Sequence, residues 1–509
     1  MKLKNQIQKK LHKVYFYGFD TESDKKLFQK STLSYEDKKI ILDDLTNNQK
    51  FVKIVIGITR YNFFCMDKII NKILSYENKI TNVKAFNIFP VLSIKDRFIR
   101  YLEGLNLPEF FEFDIVDEKL IELLEKFQIL RTKKIESEND TARLLGILCE
   151  QMFIGPWHIV IDTCHTCNTN CTHCRLHSPT NNQTKDYYKM KMSFENFKKI
   201  IDDAAELKVE MINLIGGGEP LLNPDLIKMI EYIKSKGLKA LFFTNGILLT
   251  EKISKKIIEL GLDEVWCSLP AGSGKTFKTI NPMNNEKTYD KIISNLSNLT
   301  ELKKRKNLDN PKIVMTHVIH TQNHHELIEM AQKDIEVGAN EARYFLFRMD
   351  PTNVHLKLTK EDFSRIKKQV PIVEKIFKNS SVHFKENIKF QIDNFEVNKG
   401  YFSKDFFLKH GCIIGYLYSD IEANGNVRFC CHNRNVGNIS KSSYKELWTS
   451  KKYEKYRVQA KYIDKNKDVL FENNQTLFDD ECFKCENHPM MNAIFLKLKK
   501  NDLMKYYKN

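Results

Sequence analysis

The sequence predicts an α/β protein built around a parallel barrel. Three observations carry that expectation. Short apolar strands alternate with amphipathic helices from Trp157 to about residue 375. A smaller set of strand-like runs lies between residues 13 and 90. Cysteines gather at two places, directly after the first strand of the long alternation and beyond its end.

At 509 residues the chain is too long for one ordinary core, so several domains are expected: 1–110, a helical connector 111–152, a barrel 153–375 and a C-terminal domain 376–509. Composition is globular, with 42% hydrophobic and 29% charged residues. The formal charge is 81 − 65 = +16, but the Lys is spread along the whole length. The basic runs, Lys303–Lys306 and Lys497–Lys500, are short and lack interleaved aromatics, so a solvated basic surface is expected and nucleic acid is not. The opening MKLKNQIQKK has no apolar core and no run approaches about eighteen apolar residues. A cytoplasmic protein without a signal peptide or membrane span is the expectation. In that reducing compartment disulfides do not persist, and nine of the twelve cysteines fall in patterned clusters, which points to metal ligation. Cys65, Cys149 and Cys267 stand alone in apolar stretches and read as buried thiols.

In the N-terminal region Val14–Tyr17, Lys39–Leu42, Val52–Ile56 and Val83–Phe86 read as strands of a small parallel Rossmann-like layer. The loop Gly18-Phe19-Asp20-Thr21 lacks the G-x-G-x-x-G that lets a backbone approach a pyrophosphate. Asp43 and Asp44 alone stand where a ribose-binding acid would, so a structural or docking layer is at least as well supported as a nucleotide site. Residues 118–152 read as amphipathic helix.

The barrel strands are expected at His158–Asp162, Met211–Ile215, Lys239–Phe243, Glu264–Leu269, Ile313–Ile319 and Ala342–Phe347. Helices are expected at Phe194–Leu207, with Ser193 as N-cap, and near Pro224–Lys236. Six parallel strands place chemistry at their C-terminal ends.

Cys164-His-Thr-Cys167-Asn-Thr-Asn-Cys171-Thr-His-Cys174 follows the first of those strands. A zinc ribbon separates its two knuckles by roughly 15–20 residues, whereas only three separate Cys167 from Cys171. Cys167-x3-Cys171-x2-Cys174 suits three corners of a cubane cluster, leaving the fourth iron open as a reactive site requires. Cys164 is then a bystander or a lattice thiol.

This pattern resembles the signature of the radical SAM (S-adenosylmethionine) superfamily, although His173 stands where the family usually has an aromatic residue. Gly217-Gly218-Glu219-Pro220, at the end of the second barrel strand, is similar to the family's GGEP segment. Glycines there allow close backbone approach, and strand-end polar groups can grip the methionine ammonium. Asn245 after the third strand and Ser268 closing the fourth match positions where similar enzymes contact the cofactor ribose. The resemblance implies a partial (β/α)6 barrel in which SAM chelates the open iron of a [4Fe-4S] cluster. Reductive cleavage of SAM then gives a 5′-deoxyadenosyl radical that abstracts hydrogen from a substrate. A flavodoxin- or ferredoxin-type electron donor is implied as partner. Gly272-Ser273-Gly274-Lys275-Thr276 mimics a phosphate loop but has Leu269 where a glycine is required, and is rejected as an ATP site.

Cys412, Cys430 and the pair Cys482-x2-Cys485 form the second group. The spacing Cys-x12-Gly-x4-Cys, with Trp448 and Arg457 before the later CxxC, resembles SPASM and twitch extensions, which bind auxiliary four-iron clusters. No cysteine follows Cys485, so the resemblance implies one auxiliary cluster, held by Cys412, Cys430, Cys482 and Cys485. Cys431 is a spare able to replace Cys430. The same four residues also permit zinc.

The leading functional expectation is a small-molecule enzyme acting on a sugar or nucleotide-linked sugar, with the substrate radical losing an electron to the auxiliary cluster. A maturase of ribosomally made peptides is the alternative, and the strands of residues 13–90 argue against the winged helix it would carry. A non-catalytic iron–sulfur or zinc-binding regulator ranks last. No catalytic base is identified; Arg348, His317 and His320 sit near expected strand ends and read as binding or structural groups.

Overall fold

The computed structural model describes the backbone of four strands between residues 14 and 113, and residues 137–507 apart from 151, 153, 182, 397–398, 433 and 471–475. The chain divides into two compact units, Met1–Ile154 with Leu496–Asn509, and Gly155–Phe495. Among the described residues no helix is long and apolar enough to cross a membrane.

The first unit contains a four-stranded sheet of β1 (Val14–Tyr17), β2 (Val52–Ile58), β3 (Ile80–Asn87) and β4 (Phe111–Phe113), in the order β1-β2-β3-β4. Every pair is parallel, as the apolar runs predict. Lys39–Leu42, the loop 18–21 and Asp43–Asp44 lie outside the described residues, as do Cys65 and the side chain of Cys149. Helix α1 (Glu138–Cys149) is the described part of the expected connector helix, capped by Ser137, whose hydroxyl accepts the N–H of Asp140 at 3.0 Å.

In the second unit the six expected strands are present in sequence order: β5 (His158–Asp162), β6 (Met211–Ile215), β7 (Lys239–Thr244), β8 (Glu264–Ser268), β9 (Lys312–Ile319) and β10 (Glu341–Leu346). All are parallel to their neighbours. Helices α2 (Phe194–Glu206), α3 (Leu226–Ser235), α4 (Glu251–Glu259), α5 (Glu286–Arg305) and α6 (Leu327–Glu336) lie in the five connections between them, and α7 (Lys360–Lys378) follows the last strand. Ser193 caps α2 as expected, accepting from Asn196. Burial alternates along β6, β8 and β10. One set, including Leu214, Cys267 and Ala342, is fully covered. The covered set points at the helix layer, since a Cβ on Gly246 would meet both Cys267 Sγ and Ile292 of α5. The other set faces the concave side, where the Arg343 guanidinium of β10 reaches past β9 to lie 3.7 Å from the ring of Trp266 on β8.

The arc is wider than six strands. β11 (His383–Glu386) adds parallel to β10, and β12 (Tyr418–Ile421) adds parallel to β5, so six plus two gives eight successive parallel strands. β13 (Asn426–Arg428) and β14 (Asn435–Asn438) continue from β12 antiparallel. Thus the C-terminal segment is hydrogen-bonded to the edge of the barrel strand that leads into the first cysteine loop. Four residues are too few for a periodic signal, and β12 hides an acid. Asp420 is buried and takes the Nε–H of Arg428 at 2.9 Å and the hydroxyl of Tyr418 at 2.9 Å, while burial pushes its carboxyl up to about 7.

Candidate functional site

The first cysteine group occupies the loop after β5, which lies against the end of β6. Gly218 N–H donates to the Cys164 carbonyl at 3.0 Å and Glu219 N–H to that of Thr166 at 2.8 Å. This seating requires glycine. A Cβ at Gly216 would lie 2.6 Å from the Cys164 oxygen, one at Gly217 would lie 2.7 Å from His165 Cδ2, and one at Gly218 would overlap the Thr166 carbonyl. The close approach those glycines permit is therefore to the cysteine loop itself. Cys164 is buried with its Sγ 3.2 Å from the Glu219 carbonyl, the place of a lattice thiol.

Cys167, Cys171 and Cys174 are all partly accessible. Thr169 Oγ1 stands between two of them, 3.2 Å from Cys167 Sγ and 3.6 Å from Cys171 Sγ. Cys171 Sγ is also 2.8 Å from Asn281 Oδ1, and the N–H groups of Leu176 and His177 donate to Cys174 Sγ at 3.5 and 3.4 Å. Burial, then the neighbouring sulfurs, pushes the Cys171 thiol up to about 12, and burial raises Cys167 and Cys174 as well. Three such thiols ionise together only with a positive partner, and metal binding supplies one by displacing the protons. Among the described residues, Cys431, His432 and Cys485 bring ligand atoms within 4.8 Å of one another. Cys167, Cys171 and Cys174 would each bind a different iron of one cluster, so their thiols need not meet at one point. The donor set and spacing thus fit a cubane better than a single ion.

Glu219 is 2% exposed. Its carboxylate accepts the Thr244 hydroxyl at 2.8 Å, the Asn245 N–H at 2.7 Å and the Leu221 N–H at 3.1 Å. It is committed to joining the ends of β6 and β7. Pro220, itself buried, opens the short turn Pro220–Leu222. Asn245 reaches the cysteine loop, donating from Nδ2 to Asn168 Oδ1 at 2.7 Å. Ser268 ends β8, partly accessible on the concave face. His173 packs on His320 with ring centroids 5.0 Å apart, and burial lowers both imidazoles, His173 to about 4.

Other sequence candidates prove structural. His317 points into the helix layer, with Nδ1 2.8 Å from the Leu269 carbonyl and Nε2 3.0 Å from both oxygens of Asp334. The phosphate-loop mimic is filled from within. The Gly272 N–H, Ser273 hydroxyl and Thr276 hydroxyl all donate to the Glu326 carboxylate, at 2.9, 2.6 and 2.7 Å.

Cys412, Cys430, Cys482 and Cys485 line one apolar cavity together with Phe407, Phe429 and others. Ser403 holds the CxxC turn, accepting the Cys485 N–H at 3.0 Å and donating to the Cys482 carbonyl at 2.9 Å. Arg434 ties the Cys430 segment to that turn through Asp479 at 2.5 Å. Arg457 lies against both Trp448 and Tyr453, its guanidinium 4.2 Å from each ring. Burial pushes Cys412 up to about 12 and Cys482 to about 11. Four thiols around an apolar space suit a thiolate-ligated group with no open position. Cys431 is not among the residues lining this cavity, but its Sγ lies within 4.8 Å of the ligand atoms of His432 and Cys485, which both line it.

The model of the radical SAM superfamily matches residues 161–333, and that of the SPASM iron–sulfur cluster-binding domain matches residues 412–486. Among curated relatives, Fe-coproporphyrin III synthase of Methanosarcina barkeri is 36% identical over 112 residues, 22% of this chain and 26% of the relative. A probable GTP 3′,8-cyclase of Methanococcus maripaludis is 34% identical over 127 residues, 25% of this chain and 41% of the relative. The chain therefore spans less than half the length of each. Among solved structures, SuiB of Streptococcus suis bound to the precursor peptide SuiA superposes with a TM-score of 0.48 at 16% identity, covering 71% of this chain and 76% of that one.

Proposed function

The chain is a radical SAM protein with a C-terminal SPASM domain, and we propose that it oxidises a small-molecule substrate, a sugar or nucleotide-linked sugar. Its cofactors are SAM, a SAM-binding [4Fe-4S] cluster and an auxiliary iron–sulfur cluster. Cys167, Cys171 and Cys174 are the residues that hold the first, and Cys412, Cys430, Cys482 and Cys485 hold a single auxiliary cluster. The groups held there supply one-electron chemistry: cleavage of SAM to a 5′-deoxyadenosyl radical at the first, uptake of an electron at the second. The chain's own part is to seat the loop on Gly216–Gly218, fix the strand ends through Glu219 and Asn245, and shield the substrate from water. Ser268 faces the concave side as a ribose contact, and a flavodoxin- or ferredoxin-type protein supplies the electron.

The observation that carries this reading is the gathering of Cys412, Cys430, Cys482 and Cys485 around one apolar cavity. Full thiolate ligation leaves no iron open, which suits electron uptake from a substrate radical better than substrate binding. The test is anaerobic, dithionite-driven release of 5′-deoxyadenosine in the presence of fractionated host lysate. Stimulation by the low-molecular-weight fraction supports the proposal, and stimulation by the peptide fraction alone replaces it with a peptide maturase.

A further inference from the structure

Segments carrying the two cysteine groups converge on one carboxylate that belongs to no motif. Glu481 precedes Cys482. Its Oε2 lies 3.9 Å from Arg175 Nη1 and 3.9 Å from His432 Nδ1, and it is in direct contact with Arg348 Nη2. Its Oε1 lies 3.6 Å from Lys484 Nζ. Arg175 follows Cys174, His432 follows Cys431, Lys484 precedes Cys485, and Arg348 stands just beyond β10 at the mouth of the barrel.

Arg348 extends the connection. Its Nη2 is 2.7 Å from His432 Nδ1. A guanidinium can only donate, so Nδ1 accepts, and the proton of the neutral ring is on Nε2. That nitrogen lies 3.9 Å from Cys431 Sγ. A polar path therefore runs from Arg175 through Glu481, Arg348 and His432 to Cys431. The side chains of Arg348 and His432 are 16% and 4% exposed, whereas Glu481 is 33% and Arg175 45% exposed, so the Arg348–His432 end of the path is shielded and the Arg175 end is open to solvent.

We infer that Glu481 is a positioning residue that holds the two cysteine groups in fixed relation and links their charge states. This rests on the reading that both groups hold iron–sulfur clusters. A thiolate-ligated cluster becomes more negative when reduced. Arg175 and Arg348 would favour that state, and Glu481 offsets them together with Glu486, which faces the same two cations; removing the Glu481 charge leaves the cations less compensated beside the sulfurs.

The test is an EPR-monitored redox titration of the reconstituted holoenzyme, its Glu481→Gln and Glu481→Asp variants, and Arg175→Gln alone and combined with Glu481→Gln. Glu481→Gln is expected to raise the auxiliary midpoint potential by a tenfold shift in the oxidised-to-reduced ratio, about 59 mV for a one-electron couple. Glu481→Asp, which keeps the charge, is expected to stay within about threefold of the parent. The double variant is expected to depart from the sum of the singles by at least about threefold, because the two residues are in contact. An unshifted Glu481→Gln with full iron, or a strictly additive double variant, overturns the inference. Should Glu481→Gln lose iron, Arg175→Gln decides: its side chain is 45% exposed, and unshifted potentials in it overturn the link. A parent protein with about four irons per chain in place of about eight refutes the underlying two-cluster reading instead.

Discussion

The hydroxyl of Ser273 donates to the carboxylate of Glu326 at 2.6 Å, within a loop that looks in sequence like a phosphate site. Glu326 is the anion that loop was shaped for, and it ties the segment after β8 to the start of α6. Glu326→Ala leaves three donors without a partner in a buried place, so a loss of roughly 2–4 kcal/mol is expected. Glu326→Gln keeps one acceptor and should cost about half as much. Urea unfolding of the metal-free protein measures both, and equal stabilities of parent and Ala variant would contradict this account.

Glu219 titrates unusually. Burial pushes its carboxyl from the usual 4.5 up to about 7, against the hydrogen bonds from Asn245, Leu221 and Thr244. The folded state therefore binds more protons than the unfolded chain between those values, and stability from this group falls as pH rises from about 4.5 to about 7. The whole effect is on the order of 3 kcal/mol at most. Glu219→Gln cannot ionise, so the pH dependence of its unfolding free energy should be flatter over that window than the parent's. Parallel curves would show that Glu219 titrates as an ordinary carboxylate.

Gly218→Ala tests the seat of the cysteine loop without touching a sulfur. Its Cβ would overlap the Thr166 carbonyl, and the strand end cannot yield without breaking the Glu219–Thr166 hydrogen bond at 2.8 Å. Iron retained by this variant should fall by about four per chain while the C-terminal thiols keep theirs. Full iron content would mean that the loop tolerates displacement.

The six barrel strands were legible because each is a short apolar run set between helical periods, and residues such as Ile212 and Leu214 are apolar for a reason local to their own strand. Gly217 and Gly218 were legible as a place of close approach, though not Gly216, nor that the cysteine loop is what approaches. β12 escaped notice, since an Asp at its centre breaks the apolar run and its Arg428 partner sits on the next strand. His317 read as a binding or structural group from its place near a strand end; the structure decides for the second, with Asp334, from a helix after the strand, taking its ring. Glu481 was invisible for the same reason: its meaning comes from Arg175 and Arg348, some three hundred and one hundred and thirty residues away in sequence.

The two cysteine groups should fail in different ways. Cys171→Ala removes a ligand that also meets Asn281 and Thr169, and dithionite-driven release of 5′-deoxyadenosine should drop to the background of the cluster-free protein. Surviving cleavage would remove Cys171 from the first cluster. Cys482→Ala opens the C-terminal cavity and should cost about four irons per chain, yet leave uncoupled cleavage of SAM in place, because the loop of Cys167, Cys171 and Cys174 is untouched. Product formation from the substrate should then stop, since an electron from the substrate radical has nowhere to go. Full turnover by Cys482→Ala would show that this electron leaves by another route and that the second group of thiols serves structure alone.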